Sequence, residues 1–344
     1  MEMSGRDMTN DSPPTRSHPA TRSDVARLAG VSTAVVSYVV NNGPRPVATA
    51  TRARVLAAMS ELDYTPNAVA RALRLRRAQA VGLVVPDVSN TYFGALAREL
   101  SNRAFEAGFA LLLGDSDNDI ERERAQVDSL ISHQIDGLIL VSLDPGSDAE
   151  VGGTPTVYLD QRDQPGQRTV VVDNVHGARL GVEHLIEHGR QRIALLGGIV
   201  GSPGADARHQ GWETALADAG LPHGEDLVQR SEFSRAAGHE AAIALLSQPE
   251  PPDAVFVASD VQALGLLAAA RELGISVPAQ LAVVSFDGTD DARYSDPPLT
   301  AVEQPVDEIA STALRAIIAP AESLHEIVDV GLVVRRSCGC SEPA

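Results

Sequence analysis

Short apolar runs recur through most of the chain with helical patterns between them, and this alternation constrains the fold more than any other feature. Runs at residues 81–85, 110–113, 137–141 and 156–159 alternate with amphipathic stretches at 92–107 and 120–133. After Asp173 the rhythm resumes: helix 175–188, strand 193–196, helices 207–219 and 235–246, strand 254–257, helix 261–273 and strand 281–286. A strand that is apolar along its whole length, not at every second residue, must be covered on both faces. That is the condition of a parallel sheet with helices above and below it. There are enough units for two such sheets, with a border near residues 170–173. Loops at the carboxyl ends of the strands then face each other across a cleft, the usual ligand site of doubly wound sheets.

The first part of the chain breaks this rhythm and reverses the charge. The 344 residues carry a net charge of −18, yet residues 21–77 hold nine arginines against three acidic residues, a local balance of +6. Residues 1–20 carry −1, which leaves −23 on residues 78–344. A basic head on an acidic body points to an anionic polymer as the partner of the head. A polybasic segment on a membrane has a similar charge, but the apolar pattern of this head is that of a folded domain. No stretch approaches the roughly 20 apolar residues of a spanning helix. Residues 1–20, rich in polar residues and proline, contain no apolar core of a signal segment and are expected to be a disordered tail. Cys338 and Cys340 stand at the far end of the chain, where they staple no framework, so a reducing, cytoplasmic setting is expected.

Within the head, Thr21 can N-cap a helix with Asp24 in the capping-box position, although Glu or Gln suits that role better. Val25, Ala26, Leu28 and Ala29 form its apolar stripe and Gly30 ends it. Ser32 starts a second helix whose Val35, Val36, Val39 and Val40 recur at helical spacing. A small residue, a turn glycine and a buried valine at these positions suit a helix-turn-helix, although an ordinary helical hairpin has the same elements. The opposite face of the second helix, Thr33, Ala34, Ser37, Tyr38 and Asn41, fits a major groove. A third helix over residues 49–62 carries Val55, Met59 and Leu62. Residues 67–77 are Arg-rich, too short for a stable lone helix, and on pattern alone read equally as a solvated linker.

Three runs make the reading specific: Thr21-Arg-Ser-Asp-Val-Ala-Arg-Leu-Ala-Gly-Val-Ser32, Val36-Ser-Tyr-Val-Val-Asn-Asn42 and Tyr64-Thr-Pro-Asn-Ala-Val-Ala-Arg-Ala-Leu73. Together they resemble the head of a LacI/GalR-family transcription regulator, and the resemblance extends over nearly the whole chain after Ala20. It implies a small all-α helix-turn-helix head and an α/β body of two doubly wound parallel-sheet lobes, periplasmic-binding-protein-like. It also implies a hinge helix that orders on operator DNA, with Leu73 prying apart the central base step from the minor groove. The DNA contacts implied are Ser32, Thr33, Ala34, Ser37, Tyr38 and Asn41 on the recognition helix and Asn67, Ala70 and Leu73 on the hinge. The family's usual Thr-Val-Ser-Arg is here Val35-Val-Ser-Tyr38, which removes a guanidinium suited to guanine, so a different half-site is expected.

For the cleft, the resemblance implies Tyr92 and Phe93 in the loop Asn90-Thr-Tyr-Phe93, where Thr91 replaces a common proline. It adds Ser142 and Asp160 after later strands of the first lobe. In the second lobe it implies Arg208 of Arg208-His-Gln-Gly-Trp212, Phe233 as a stacking ring, Ser259 beside Asp260, Asp287 after Phe286, and Gln304. Arg208 offers a planar fork of donors to hydroxyls or a carboxylate. Asp260, at a helix start, reads better as a cap. An arginine, carboxylates, an amide and aromatic plates suit a polyol, so the effector expected is small and polar, a sugar.

The domain plan expected is a tail 1–20, a DNA-binding head 21–66, a hinge 67–78 and an effector-binding and dimerisation body 79–344. The first lobe takes 79–172 and 305–320, and the second takes 173–304 and 321–340. The partners expected are double-stranded operator DNA, a sugar-like effector and a second copy of the chain, with no membrane, cofactor or metal. Enzymatic readings fail on the residues. Gly197-Gly198-Ile-Val-Gly201 lacks the dinucleotide spacing, a chain without lysine has no Walker Lys, and no G-x-S-x-G elbow occurs. His184 and His188 lie one turn apart but read as solvated surface; Cys338-Gly-Cys340 could touch a soft metal, although two thiols without partners do not usually make a site. The alternative to a regulator is a solute-binding protein with the same body, which would need export and have no use for a basic head.

Overall fold

The computed structural model describes residues 20–40, 43, 45–64, 78–142, 151–160, 166–319 and 324–341. Residues 1–19 and 65–77 lie outside the described residues, and with them most of the expected tail and hinge, including Asn67, Ala70 and Leu73; Asn41 does too. The chain forms two compact units, Met1–Arg76 and Arg77–Ala344. Among the described residues no single helix is long and apolar enough to cross a membrane.

The head consists of α1 (Arg22–Ala29), α2 (Thr33–Val40) and α3 (Thr49–Glu61). Thr21 and Asp24 satisfy each other's backbone at the start of α1: Thr21 N donates to Asp24 Oδ2 at 2.9 Å, and Asp24 N donates to Thr21 Oγ1 at 3.4 Å. Aspartate thus completes the capping box despite its shorter reach. Gly30 closes the helix at φ 64°, its N–H meeting the Ala26 and Arg27 carbonyls. The next helix departs at 103°, the angle range of a helix-turn-helix. Val25, Ala26, Ala29, Val36, Val39, Val55 and Ala58 make the core. All seven are Val or Ala, so the three helices approach closely. Leu28, expected on the apolar stripe, is 45% exposed, because it lies about 100° round the helix from the centre of the core-facing residues.

The body has two sheets. Strands β1 (Ala80–Val85), β2 (Ala110–Asp115), β3 (Gly137–Leu140), β4 (Thr156–Leu159), β5 (Arg168–Val172) and β11 (Leu324–Val328) build the first, in the order β11-β5-β4-β3-β1-β2 and wholly parallel. Strands β6 (Ile193–Gly197), β7 (Val228–Arg230), β8 (Ala254–Val257), β9 (Ala282–Asp287), β10 (Thr300–Glu303) and β12 (Gly331–Val333) build the second, in the order β12-β10-β9-β8-β6-β7. Only β12, at the edge, is antiparallel, to β10. The helices are α4 (Thr91–Glu106), α5 (Ile120–Ser132), α6 (Asn174–Glu187), α7 (Pro203–Asp218), α8 (Arg235–Leu246), α9 (Asp260–Glu272), α10 (Asp290–Tyr294) and α11 (Val306–Ile318).

β1 explains why the strands read as unbroken apolar runs. Val81, Leu83 and Val85 pack with Leu96 and Leu100 of α4, while Ala80 and Val84 pack with Val127 and Leu130 of α5. Alternate residues therefore enter two separate cores. Both sheets reverse their strand order beside their first strand, between β1 and β3 and between β6 and β8, and the cleft lies off those carboxyl ends.

The chain passes between the lobes three times, after β5, after β10 and between β11 and β12. These passages run side by side: Val172 pairs with Val328 in parallel register and Glu303 with Gly331 in antiparallel register. This corrects one boundary. Residues 321–340 do not belong wholly to the second lobe, because Leu324–Val328 is an edge strand of the first sheet. Only alternate residues of that strand are covered, and exposed Ile327 and half-exposed Leu324 blur its apolar signal. β5, β7, β10 and β12 also escape the apolar pattern, being short or carrying Arg, Gln, Thr or Glu.

Candidate functional site

Arg208 is the centre of the cleft. It sits in α7, whose start at Pro203 lies ahead of the helix expected from residue 207. Its Nε donates to Asn174 Oδ1 at 2.8 Å and its Nη1 to the Ala258 carbonyl at 2.6 Å. The guanidinium carbon stacks 3.8 Å over the Phe286 ring, and Nη1 lies 3.6 Å from Asp287 Oδ1. Both charged groups are buried. A planar fork can serve an amide, a carbonyl and an aromatic face at once, which an ammonium cannot.

Asp287 ends β9 at φ 111°, a conformation that non-glycine residues avoid. Gln304 Nε2 donates to its Oδ1 at 2.8 Å and Asp260 N approaches Oδ2 at 3.4 Å. Burial lifts its carboxyl to about 7; Arg208 and the hydrogen bond from Gln304 oppose the rise, and nearby Asp260 adds to it. Asp260 itself rises to about 6 through burial, against hydrogen bonds from Ser285 and Thr289. It is not the helix cap expected. Ser259 caps α9, its Oγ accepting from Gln262 N at 3.3 Å, while Asp260 ties β9 to the turn after it through Ser285 Oγ at 2.6 Å and Thr289 Oγ1 at 2.8 Å.

From the first lobe come Asn90, Tyr92, Phe93 and Asp160. Asn90 caps α4, its side chain accepting from Tyr92 N. Asp160, at φ 56°, accepts from Asn174 Nδ2 at 2.9 Å. Burial raises its pKa against the pull of Arg208 and the Asn174 amide. Burial likewise raises the Tyr92 phenol far above the usual tyrosine range, with Asp160 and Asp287 adding to it. These groups enclose a cavity of ≈ 60 Å³. It adjoins a chamber of ≈ 460 Å³ with which it shares Asn90, Phe93, Val141, Leu159, Asp160 and Phe233.

Of the nine cleft residues singled out by the sequence, Tyr92, Phe93, Asp160, Arg208, Phe233, Ser259, Asp287 and Gln304 line the inner cavity, and Ser142 lines the outer chamber. The Ser142 hydroxyl donates to Glu123 Oε1 at 2.8 Å. Sequence reasoning misses Asn174, although it binds both Arg208 and Asp160. Its position just beyond a strand end, after Asp173, is the signal that could have found it. The glycines at 197–201 have a steric use: a Cβ on Gly198 would stand 2.5 Å from Phe233 Cζ, so Gly198 makes room for that ring.

On the head, Thr33 and Ala34 of α2 are exposed, with Ser32 ahead of them; Ser37 and Tyr38 are half-buried. The Tyr38 ring leans on Gly43, where an added Cβ would come within 2.8 Å of Cδ1. Arg27, Arg45 and Arg54 are exposed on the same unit. Two pairs that the sequence sets aside one by one come together: His184 and His188, read as solvated surface, meet Cys338 and Cys340 in the second lobe.

Known proteins match both units. Residues 21–67 match the model of bacterial regulatory proteins of the lacI family, and residues 182–338 match that of a periplasmic binding protein-like domain. The chain is 34% identical over 330 residues to the HTH-type transcriptional repressor PurR of Photorhabdus laumondii, spanning 92% of this chain and 96% of that one. Among solved structures it resembles the Lac repressor dimer bound to operator and the anti-inducer ONPF, with a TM-score of 0.83 and 30% identity over 93% of this chain and 99% of that one. It also resembles the complex of the transcriptional regulator CelR with cellobiose, with a TM-score of 0.69 and 31% identity over 92% and 99% of the two chains. With its basic three-helix head and a cleft lined from two parallel sheets, the chain belongs to the LacI family, as a DNA-binding transcriptional repressor with an effector-binding body and not an enzyme.

Proposed function

We propose that the effector is a small polyol, a sugar, held between the lobes, and that it sets the affinity of a homodimer for a pseudo-palindromic operator. The observation that carries this reading is the buried polar chain Asp160–Asn174–Arg208–Asp287–Gln304, closed in by Phe93 and Phe233. It offers alternating donors and acceptors to hydroxyls and a flat surface to a ring. The similarity to CelR in complex with cellobiose supports a sugar. Tyr92, Ser259 and Ser142 complete the lining in this reading.

The head reads one half-site through Ser32, Thr33, Ala34, Ser37, Tyr38 and Asn41. One such helix per chain calls for two copies on a two-fold site. The Lac repressor, a dimer on its operator, supports that arrangement. On this chain Leu113 of the edge strand β2 and Phe105 near the end of α4 are exposed, apolar side chains that a second copy could cover. Asn67, Ala70 and Leu73 are assigned in this reading to the minor-groove contact.

The test is a thermal-shift screen of sugars and nucleobases on the full chain, followed by operator binding with and without each hit. A sugar that stabilises the chain and changes operator affinity is the expected result. Stabilisation by a nucleobase alone would overturn the sugar assignment and leave the cleft. Operator binding by a chain lacking residues 1–77 would overturn the role of the head.

A further inference from the structure

Helix α6 begins in the cleft at Asn174 and ends, about 20 Å away by its helical rise, at a second grouping of functional side chains. His184 in its last turn and His188, the residue that caps it, lie four apart, the spacing that brings two side chains over the same spot. The chain after β12 returns to them with Cys338-Gly-Cys340. Gly339 takes φ +108°, the left-handed region that favours glycine, and so turns the backbone between the two thiols. One nitrogen or sulfur from each of the four residues lies within 4.8 Å of all the others.

We infer that His184, His188, Cys338 and Cys340 form a binding site for a zinc-class divalent cation. A tetrahedral zinc site with Zn–S of about 2.3 Å and Zn–N of about 2.05 Å places sulfur and nitrogen ligands about 3.5 Å apart. Here Cys340 Sγ lies 3.1 Å from His188 Nε2 and 3.8 Å from His184 Nε2, on either side of that spacing. The two imidazole rings meet edge to face with centroids 4.7 Å apart. Cys338 is fully buried, and Thr300 Oγ1 donates to its sulfur at 3.1 Å, the kind of outer hydrogen bond that orients a metal ligand. His188 is exposed, which leaves a way in for the ion.

The donor set names the class. Two thiolates and two imidazoles, with no carboxylate, select zinc over magnesium or calcium. Four protein ligands close the coordination sphere, so the site is structural and leaves no open position for catalysis. Loading sends two thiol protons to solvent, and the doubly charged ion with two thiolates is then neutral. Its effect falls on the end of the chain. β12 is only three residues long and holds to β10 at the sheet edge, so the ion would staple this segment to α6.

The test uses the full chain purified under reductant, with zinc counted by elemental mass spectrometry and cobalt(II) substituted as a spectroscopic probe. One zinc per chain is expected, with a cobalt spectrum carrying thiolate charge-transfer and tetrahedral ligand-field bands. His188→Ala and Cys340→Ser change residues that are not fully buried and should keep the fold, as circular dichroism would verify. Both should lose the bands and most of the metal, and should melt where chelator-treated wild type melts. A reduced chain that retains no zinc and gives no charge-transfer band would overturn the site. So would undiminished metal content in the double variant, or a Cys338–Cys340 disulfide in metal-free chain taken from reducing conditions.

Discussion

Asp160 of the first lobe and Asn174 of the second are joined by a 2.9 Å hydrogen bond. A Cβ placed on Gly204, at the start of α7, would lie 2.1 Å from Asp160 Oδ2. A side chain at residue 204 would therefore have to displace the Asp160 carboxylate that makes this bond. Gly204→Ala should hold the cleft apart at an overpacking cost of about 1–3 kcal/mol, weakening the effector response by a similar amount. Adding Asp160→Ala removes the obstructing carboxylate and should recover closure. Small-angle scattering with and without effector distinguishes the two variants, and an unchanged single variant would mean that the helix shifts instead.

Arg208 serves Asn174, Ala258, Phe286 and Asp287 together. Arg208→Ala should abolish the effector response at a cost on the order of 2–5 kcal/mol in binding, since buried partners lose their charge or donor. Arg208→Lys should fail to rescue it, because one ammonium cannot reach the same set. Operator binding without effector should persist in both. Calorimetric titration of the effector checks the first outcome and an operator shift assay the second.

Burial pushes the carboxyls of Asp260 and Asp287 up, to about 6 and about 7, from 3.8 for a free carboxyl. Between the free and the folded values the folded chain binds more protons than the unfolded one, so stability falls as pH rises. The contribution is fully present below the free value and is lost as pH passes through about 6 to 7. A carboxyl that holds its proton tenfold more tightly in the folded chain contributes about 1.4 kcal/mol. Melting temperature should therefore drop from mildly acidic to mildly basic buffer, and Asp287→Asn should flatten the profile. An equal slope in that variant would assign the effect to general repulsion among the body's acidic residues.

Tyr38 lies on α2, half-buried and against Gly43. Its ring and the exposed Ala34 suit a thymine methyl. Tyr38→Arg should change which half-site is preferred by about 1–3 kcal/mol per altered base pair, measured by selection from a randomised operator library. A uniform loss across the library would assign Tyr38 to packing alone.

Much of the fold is legible because the core strands are covered on both faces and so carry unbroken apolar runs, as Val81 to Val85 does with its two cores. Edge strands such as Leu324–Val328 are half wet, and their apolar signal fades with their covering. In the cleft, residues at strand ends are found because doubly wound sheets gather ligands there. Asn174 also stands just beyond a strand end, but that strand, Arg168–Val172, does not read as an apolar run, so the position carries no mark. The pairing of His184 and His188 with Cys338 and Cys340 is out of reach for a different reason: some 150 residues separate the two pairs, and no local pattern records that the chain returns.

The three passages between lobes have a mechanical consequence. Strands lashed side by side, Val172 to Val328 and Glu303 to Gly331, resist sliding and swivelling as three pins through one door resist everything but its swing. Such crossings favour a swing of one lobe on the other over sliding. If the lobes swing on these crossings, two chemically unrelated ligands that hold the same swing are expected to draw the same response.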